Sequence, residues 1–273
     1  MERYKEIINR ILELCAAREE IRAIIVIGSQ ARKNKKADEY SDLDLIVVCD
    51  VPEKLLYKDE WLNHLGKREY SFVEDTIANQ KERRVLFEGS LDVDFIVLST
   101  EFFRFALENH LQDDIMKRGY RILYDDAGFS DSMAKIPVMD HMKNDVPSEE
   151  EFRNLVNEFY YHIVWTEKKI SRGELWTAKM CVDVHLKNLL LRMIEMYEIC
   201  VHGIDFDVWH NGRMLEEWAD EDIVQELSQC FAHYDADDIK KALDHTAALF
   251  TRLSKVCAEK YDYVSGVKMI DNK

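Results

Sequence analysis

The chain has 273 residues, 47% of them apolar and 33% charged. That composition excludes a disordered or fibrous protein, and no apolar run is long enough to cross a bilayer. With 37 basic against 53 acidic side chains the net charge is -16, which argues against nucleic acid as a partner because phosphate contacts need clustered Lys and Arg. An acidic surface suits a cationic small molecule, whose approach it would accelerate, although solubility alone accounts for it equally well.

The N-terminal segment MERYKEIINRILEL reads as an amphipathic helix with Tyr4, Ile7, Ile8, Ile11 and Leu12 on one face. It has no apolar h-region or cleavage site, so a cytoplasmic protein without a membrane partner is expected. Six cysteines are scattered without a C-x-x-C pair, mostly inside apolar periodic segments, which fits a reducing compartment and speaks against structural zinc. The nine histidines show no metalloprotease-type spacing and are assigned no role.

From residue 22 to about 125, short β-rich runs alternate with helical patterns. The expected strands are Ala23 to Ile27, Leu43 to Val48, Val85 to Phe87, Leu91 to Leu98 and Ile122 to Tyr124. The turn EGS predicts an antiparallel hairpin between the third and fourth, and SQARKNKK after the first strand reads as a short helix. A proline-bearing stretch then ends in Ser148-x-x-Glu151, a capping box that opens a helix. Beyond it the pattern is helical, with a long helix from about Glu174 to Glu198 and a last one from about Asp237 to Tyr261. The expected organisation is α+β: a first domain over residues 1–138, with a mixed sheet flanked by helices, and an all-α helical bundle over 148–273.

Asp42 and Asp44 stand two apart at the entrance to an apolar strand, so an extended backbone projects both from one face. Like charges that close repel, and a hard divalent cation such as Mg²⁺ would relieve them. The D-x-D pattern alone is weak, because the chain holds five. The pairs at 220/222 and 235/237 precede helices and read as solvated faces or N-terminal caps, and 205/207 falls in a loop. Only 42/44 and 92/94 lead into buried strands. Asp94 is the expected third ligand: it is embedded against Phe95 to Leu98, where an unligated charge is costly, whereas Asp92 adjoins a turn. Gly28-Ser29 closes the first strand, and its backbone N–H groups and hydroxyl could hold phosphate oxygens, although Gly-Ser is equally a plain strand-to-helix turn.

Gly28-Ser29, Asp42-x-Asp44 and the distal Asp94 resemble the nucleotidyltransferase superfamily of the polymerase-β type. The likeness extends to the aminoglycoside 6-adenylyltransferases that modify streptomycin, through LWTAKMCVDVHLKNLLLRMIEMY, the final DDIKKALDHTAALFTRLSKVCAEKYDY and the turn-strand GYRILYDD. It covers most of the chain. The resemblance implies an N-terminal nucleotidyltransferase domain, a helical substrate-binding domain, ATP as co-substrate and two Mg²⁺ ions held by Asp42, Asp44 and Asp94. It also implies that Gly28, Ser29 and Arg32 contact the triphosphate and that Lys179 neutralises the leaving pyrophosphate. The chain departs from the family at two places: Gln30 stands where Gly-Ser-Arg is usual, and Met180 aligns with an aspartate proposed as the base for the drug hydroxyl. A thioether cannot take that proton; Asp183, three residues on, could. Trp176 and Trp209 are candidates for packing on a sugar ring.

The implied activity is transfer of AMP from ATP to a hydroxyl of a cationic aminoglycoside such as streptomycin, hence antibiotic resistance. The alternatives are a nucleotidyltransferase acting on another antibiotic, a protein or an RNA, and a catalytically retired nucleotide-binding interaction protein. Met180 keeps the last of these open, and the retention of three carboxylates weighs against it.

Overall fold

The computed structural model describes residues 2–76, 80–111, 113–139 and 143–264. The chain divides into two compact units, residues 1–142 and 143–273. In the first, α1 (Lys5–Ala17), β1 (Ile21–Val26), β2 (Leu43–Cys49), α2 (Pro52–Tyr57), α3 (Leu62–Leu65) and β3 (Arg68–Asp75) are followed by β4 (Lys81–Phe87), β5 (Leu91–Ser99), α4 (Thr100–Glu108), α5 (Asp113–Lys117), β6 (Arg121–Asp125) and α6 (Ser130–Met133). The six strands form one sheet in the order β3-β4-β5-β2-β1-β6. Only β2 and β5 pair in parallel; the other neighbours are antiparallel.

Both faces of this sheet are covered, which is why its central strands read as unbroken apolar runs rather than as an alternating pattern. Ile24, Val26, Leu43, Leu45, Val47, Val93 and Phe95 pack with α1, α2 and α3 on one side. Their strand neighbours Ile25, Ile46, Val48 and Leu98 join Phe103, Met116, Phe129 and Met133 on the other. Asp44 and Asp94 fall on that second face by the period of two, at the end where the helical cover stops.

The sequence reading missed β3. None of its residues is buried, Tyr70 and Phe72 face solvent, and it forms the edge of the sheet, where charge and exposure mask a strand signal. The expected helix over SQARKNKK is also wrong. Only Gly28–Gln30 make a single 3₁₀ turn, and the chain then runs irregularly to β2, with Lys35 at φ 49°. Arg32, Lys33, Lys35 and Lys36 would set like charges three and four residues apart on so short a helix.

The second unit contains α7 (Glu149–Ser171), α8 (Leu175–Met180), α9 (Leu186–His202), α10 (Leu215–Trp218), α11 (Glu221–Leu227) and α12 (Ala236–Tyr261). The capping box at Ser148 and Glu151 is formed. A π turn, Cys181–His185, joins α8 to α9, so the long helix expected from the sequence is continuous but locally widened by one extra residue in the turn. Phe152, Phe159, Leu186, Leu190, Met193, Phe250 and Leu253 form the core, with Phe159 and Phe250 stacked at 3.7 Å. Trp209 is buried in that core rather than offered to a sugar, while Trp176 is exposed. Asp235 caps α12 as expected; Asp220 precedes α11 but makes no capping hydrogen bond through its side chain. All six cysteines are buried and free. Among the described residues no helix is long and apolar enough to cross a membrane.

Candidate functional site

The parallel register of β2 and β5 sets Asp44 directly beside Asp94, and Asp42 precedes β2 by one residue. One carboxylate oxygen from each of Asp42, Asp44 and Asp94 lies within 4.8 Å of the other two. That approaches the roughly 4.2 Å between opposite corners of a Mg²⁺ octahedron, so small side-chain rotations bring all three onto shared hard cations. The donor set, oxygen only, is the one such a cation selects.

The turn after β1 is built against these carboxylates. Ile27 N–H donates to the Asp44 carbonyl at 3.1 Å, which carries the chain past the start of β2. Gly28 then adopts φ +65°, and a Cβ there would lie 2.0 Å from Asp44 Oδ2. Glycine is therefore required twice, for its left-handed backbone and for the approach of the carboxylate. The Ser29 hydroxyl oxygen is buried and has no hydrogen-bond partner among the described residues, an uncommon state for a buried polar atom and one that a phosphate oxygen would satisfy. Arg32 follows within the same loop, its N–H bonded to the Gly28 carbonyl at 3.1 Å.

Two side chains hold the segment that carries Asp42. The Tyr4 hydroxyl donates to Ser41 O at 2.9 Å, and Gln30 Nε2 donates to Asp42 O at 3.1 Å. Gln30, the departure from the family pattern, thus positions the backbone of Asp42.

Arg84 is the residue that sequence reasoning missed. It stands across from Asp94 in the β4–β5 pair, with Nε 2.9 Å from Asp94 Oδ1. Its guanidinium also reaches Glu74 at 3.3 Å and Asp92 at 3.9 Å. Burial pushes the Asp94 carboxyl up to about 6, with Arg84 opposing and Asp92 and Asp42 adding to the rise. Burial similarly raises Glu82, on the same strand as Arg84, to about 7. The Arg84 guanidinium thus occupies Oδ1 of Asp94.

Lys179 and Asp183 belong to the second unit, on α8 and the π turn. They form an ion pair with each other, and Lys179 also donates to Ala232 O. The ammonium expected to neutralise pyrophosphate therefore spends two of its three donors at home. Asp183 keeps its other oxygen, Oδ1, buried without a hydrogen-bond partner among the described residues. Met180 is exposed and Asp183 largely covered, so the two do not share a surroundings despite their spacing. One turn on, Lys187 is bonded to Val182 O at 3.0 Å and to Thr246 Oγ1 at 2.8 Å, and burial lowers its ammonium to about 8.

The sequence matches the family model described as streptomycin adenylyltransferase over residues 1–271. It is 23% identical over 270 residues to the aminoglycoside 6-adenylyltransferase of Staphylococcus aureus, covering 96% of this chain and 89% of that protein. To the Bacillus subtilis protein of the same name it is 23% identical over 278 residues, covering 96% and 94%. The crystal structure of an aminoglycoside 6-adenyltransferase from Bacillus subtilis aligns over 94% of this chain and 90% of that one, at 19% identity and a TM-score of 0.42.

Proposed function

The chain belongs to the streptomycin adenylyltransferase family and is a nucleotidyltransferase, and from that premise we propose that it transfers AMP from ATP to a hydroxyl of a cationic small molecule, an aminoglycoside such as streptomycin. The observation that carries the reading is the convergence of Asp42, Asp44 and Asp94 beside the Gly28–Ser29 turn.

In this reading Asp42, Asp44 and Asp94 hold divalent metal, taken as two Mg²⁺ ions. Such ions, when bound, polarise the α-phosphorus and neutralise the triphosphate. The Ser29 hydroxyl donates to a phosphate oxygen, and the Gly28–Ser29 backbone lets that oxygen approach closely. Arg32 adds positive charge beside the triphosphate, and Lys179 is assigned to the charge of the leaving pyrophosphate. The acceptor hydroxyl loses its proton to Asp183 or to Asp94, forms a bond to the α-phosphorus, and the bond from that phosphorus to the bridging oxygen of pyrophosphate breaks. Asp183 is a candidate for the proton because its Oδ1 has no hydrogen-bond partner among the described residues. The net charge of -16 favours an acceptor carrying several ammonium groups.

The test is turnover with ATP labelled at the α-phosphate, Mg²⁺ and a panel of aminoglycosides. Label on a drug with release of pyrophosphate is expected, and the loss of both in Asp42→Asn with retained fold. No release with any member of the panel would refute the aminoglycoside reading; full turnover by Asp42→Asn would refute the metal role.

A further inference from the structure

A second cluster of metal-ligating side chains lies within the helical unit. Glu198 and His202 are four apart at the end of α9 and share a face, and Asp220, just before α11, meets them from the neighbouring segment. His202 Nε2 is 3.2 Å from Glu198 Oε2 and 3.4 Å from Asp220 Oδ1. A tetrahedral zinc ion with ligand bonds of about 2.0–2.1 Å sets its ligand atoms about 3.3–3.4 Å apart. The ligand atoms of all three residues lie within 4.8 Å of one another.

The surrounding bonds leave one oxygen of each carboxylate for that common point. Glu198 Oε1 accepts the Asp220 backbone N–H at 2.7 Å. Asp220 Oδ2 accepts from the Tyr197 hydroxyl at 3.3 Å, and the side chain makes no capping bond to α11. The His202 ring stacks on Phe206, with centroids 4.6 Å apart, which fixes its plane. These are the supports that orient ligands at metal centres.

Glu198 itself points into the cluster. Its side chain is 0% exposed, yet Oε2 has no hydrogen-bond partner among the described residues and faces His202. A glutamate is almost never fully buried unless its charge is met. Burial pushes its carboxyl up, and the charge of Asp220 adds to the rise. His202 and Asp220 are each about a third exposed, which leaves a solvent side for a fourth ligand.

We propose that Glu198, His202 and Asp220 form a zinc-type site, with three protein ligands and one water, that ties the end of α9 to the segment entering α11. It differs from the aspartate site in unit and in donors, since an imidazole nitrogen selects a borderline transition ion over Mg²⁺. The ion's charge replaces the two-carboxylate repulsion with three ligand bonds.

The test is calorimetric titration of the chelator-stripped, full-length protein with Zn²⁺, in excess Mg²⁺ to fill the aspartate site. Zinc uptake is expected, with a melting temperature several degrees higher. His202→Gln and Asp220→Asn should each lose one equivalent of zinc and that rise. A third cluster, Glu158, His162 and His185, also has ligating atoms within 4.8 Å of one another, so His185→Gln serves as the control and should retain the equivalent lost in His202→Gln. Two results overturn the proposal: a folded wild type that takes up no zinc, which would make the contact a side-chain cluster without an ion, or unchanged stoichiometry in both His202→Gln and Asp220→Asn.

Discussion

A Cβ on residue 28 would sit 2.0 Å from Asp44 Oδ2. Turn and carboxylate are therefore fitted to each other, and Gly28→Ala cannot keep both the φ of +65° and the place of Asp44. The methyl group would push the carboxylate off its position beside Asp42 and Asp94, besides a backbone cost of about 1–2 kcal/mol. Turnover should fall by about 100-fold or more, in line with displacement of a reacting group by an ångström, while the melting temperature drops only a few degrees. Wild-type turnover in a folded Gly28→Ala would show that Asp44 is not a ligand at that position.

Arg84 acts through Asp94, so it is a positioning residue. Asp94 is raised to about 6 even with the guanidinium alongside, and removing that charge would favour protonation near neutral pH. Arg84→Met should raise the Mg²⁺ concentration for half-maximal turnover about 10–100-fold. Much of kcat should return at saturating Mg²⁺, and Arg84→Lys should fall between the two. A loss of kcat with no change in Mg²⁺ dependence would instead assign Arg84 to the substrate.

Asp183 and Lys179 can be separated by their kinetic signatures. If Asp183 takes the acceptor's proton, Asp183→Asn should lower kcat by about 100-fold or more with the KM for ATP nearly unchanged. Lys179→Met, which leaves Asp183 without its ion-pair partner, should lower kcat less than Asp183→Asn does. If both variants keep kcat within about twofold, the proton goes to Asp94.

The legible part of the site was the part with an energetic contradiction in it. A carboxylate heading a buried apolar strand is costly without a ligand, so Asp42, Asp44 and Asp94 stand out in one dimension, as does a Gly-Ser that ends a strand. Arg84 carries no such contradiction: it stands just before the strand expected at Val85 to Phe87, in a run, KERR, whose charges look ordinary. The signal was present only in register. From Phe87 opposite Leu91, three further pairs along the hairpin bring Arg84 opposite Asp94, and the EGS turn was enough to count from. Glu198, His202 and Asp220 were harder, since their meeting depends on how the chain returns to α9 across about eighteen residues. The helix expected after Ser29 failed because lysines in a short loop satisfy helix propensity while opposing helix electrostatics. The edge strand β3 was missed because exposure erases the apolar pattern that marks buried strands.

Glu195 on α9 gives the second unit a pH dependence of its own. Burial pushes its carboxyl from 4.5 up to about 7, with Arg192 opposing. Between those values the native state holds a proton that the unfolded chain has released, so this group's contribution is most favourable at low pH and is lost as pH rises through the window. Above about pH 7 the folded protein carries the full cost of a covered carboxylate. Glu195→Gln should lie within about 1 kcal/mol of the wild type at pH 5 and exceed it at pH 8 by about 1–3 kcal/mol, nearly the whole shift at the upper end and discounted for solvent screening at the lower. Urea unfolding at pH 5, 6.5 and 8 measures the difference directly. An advantage of equal size at all three would mean that the substitution acts through packing, because only ionisation of Glu195 makes the gap widen with pH.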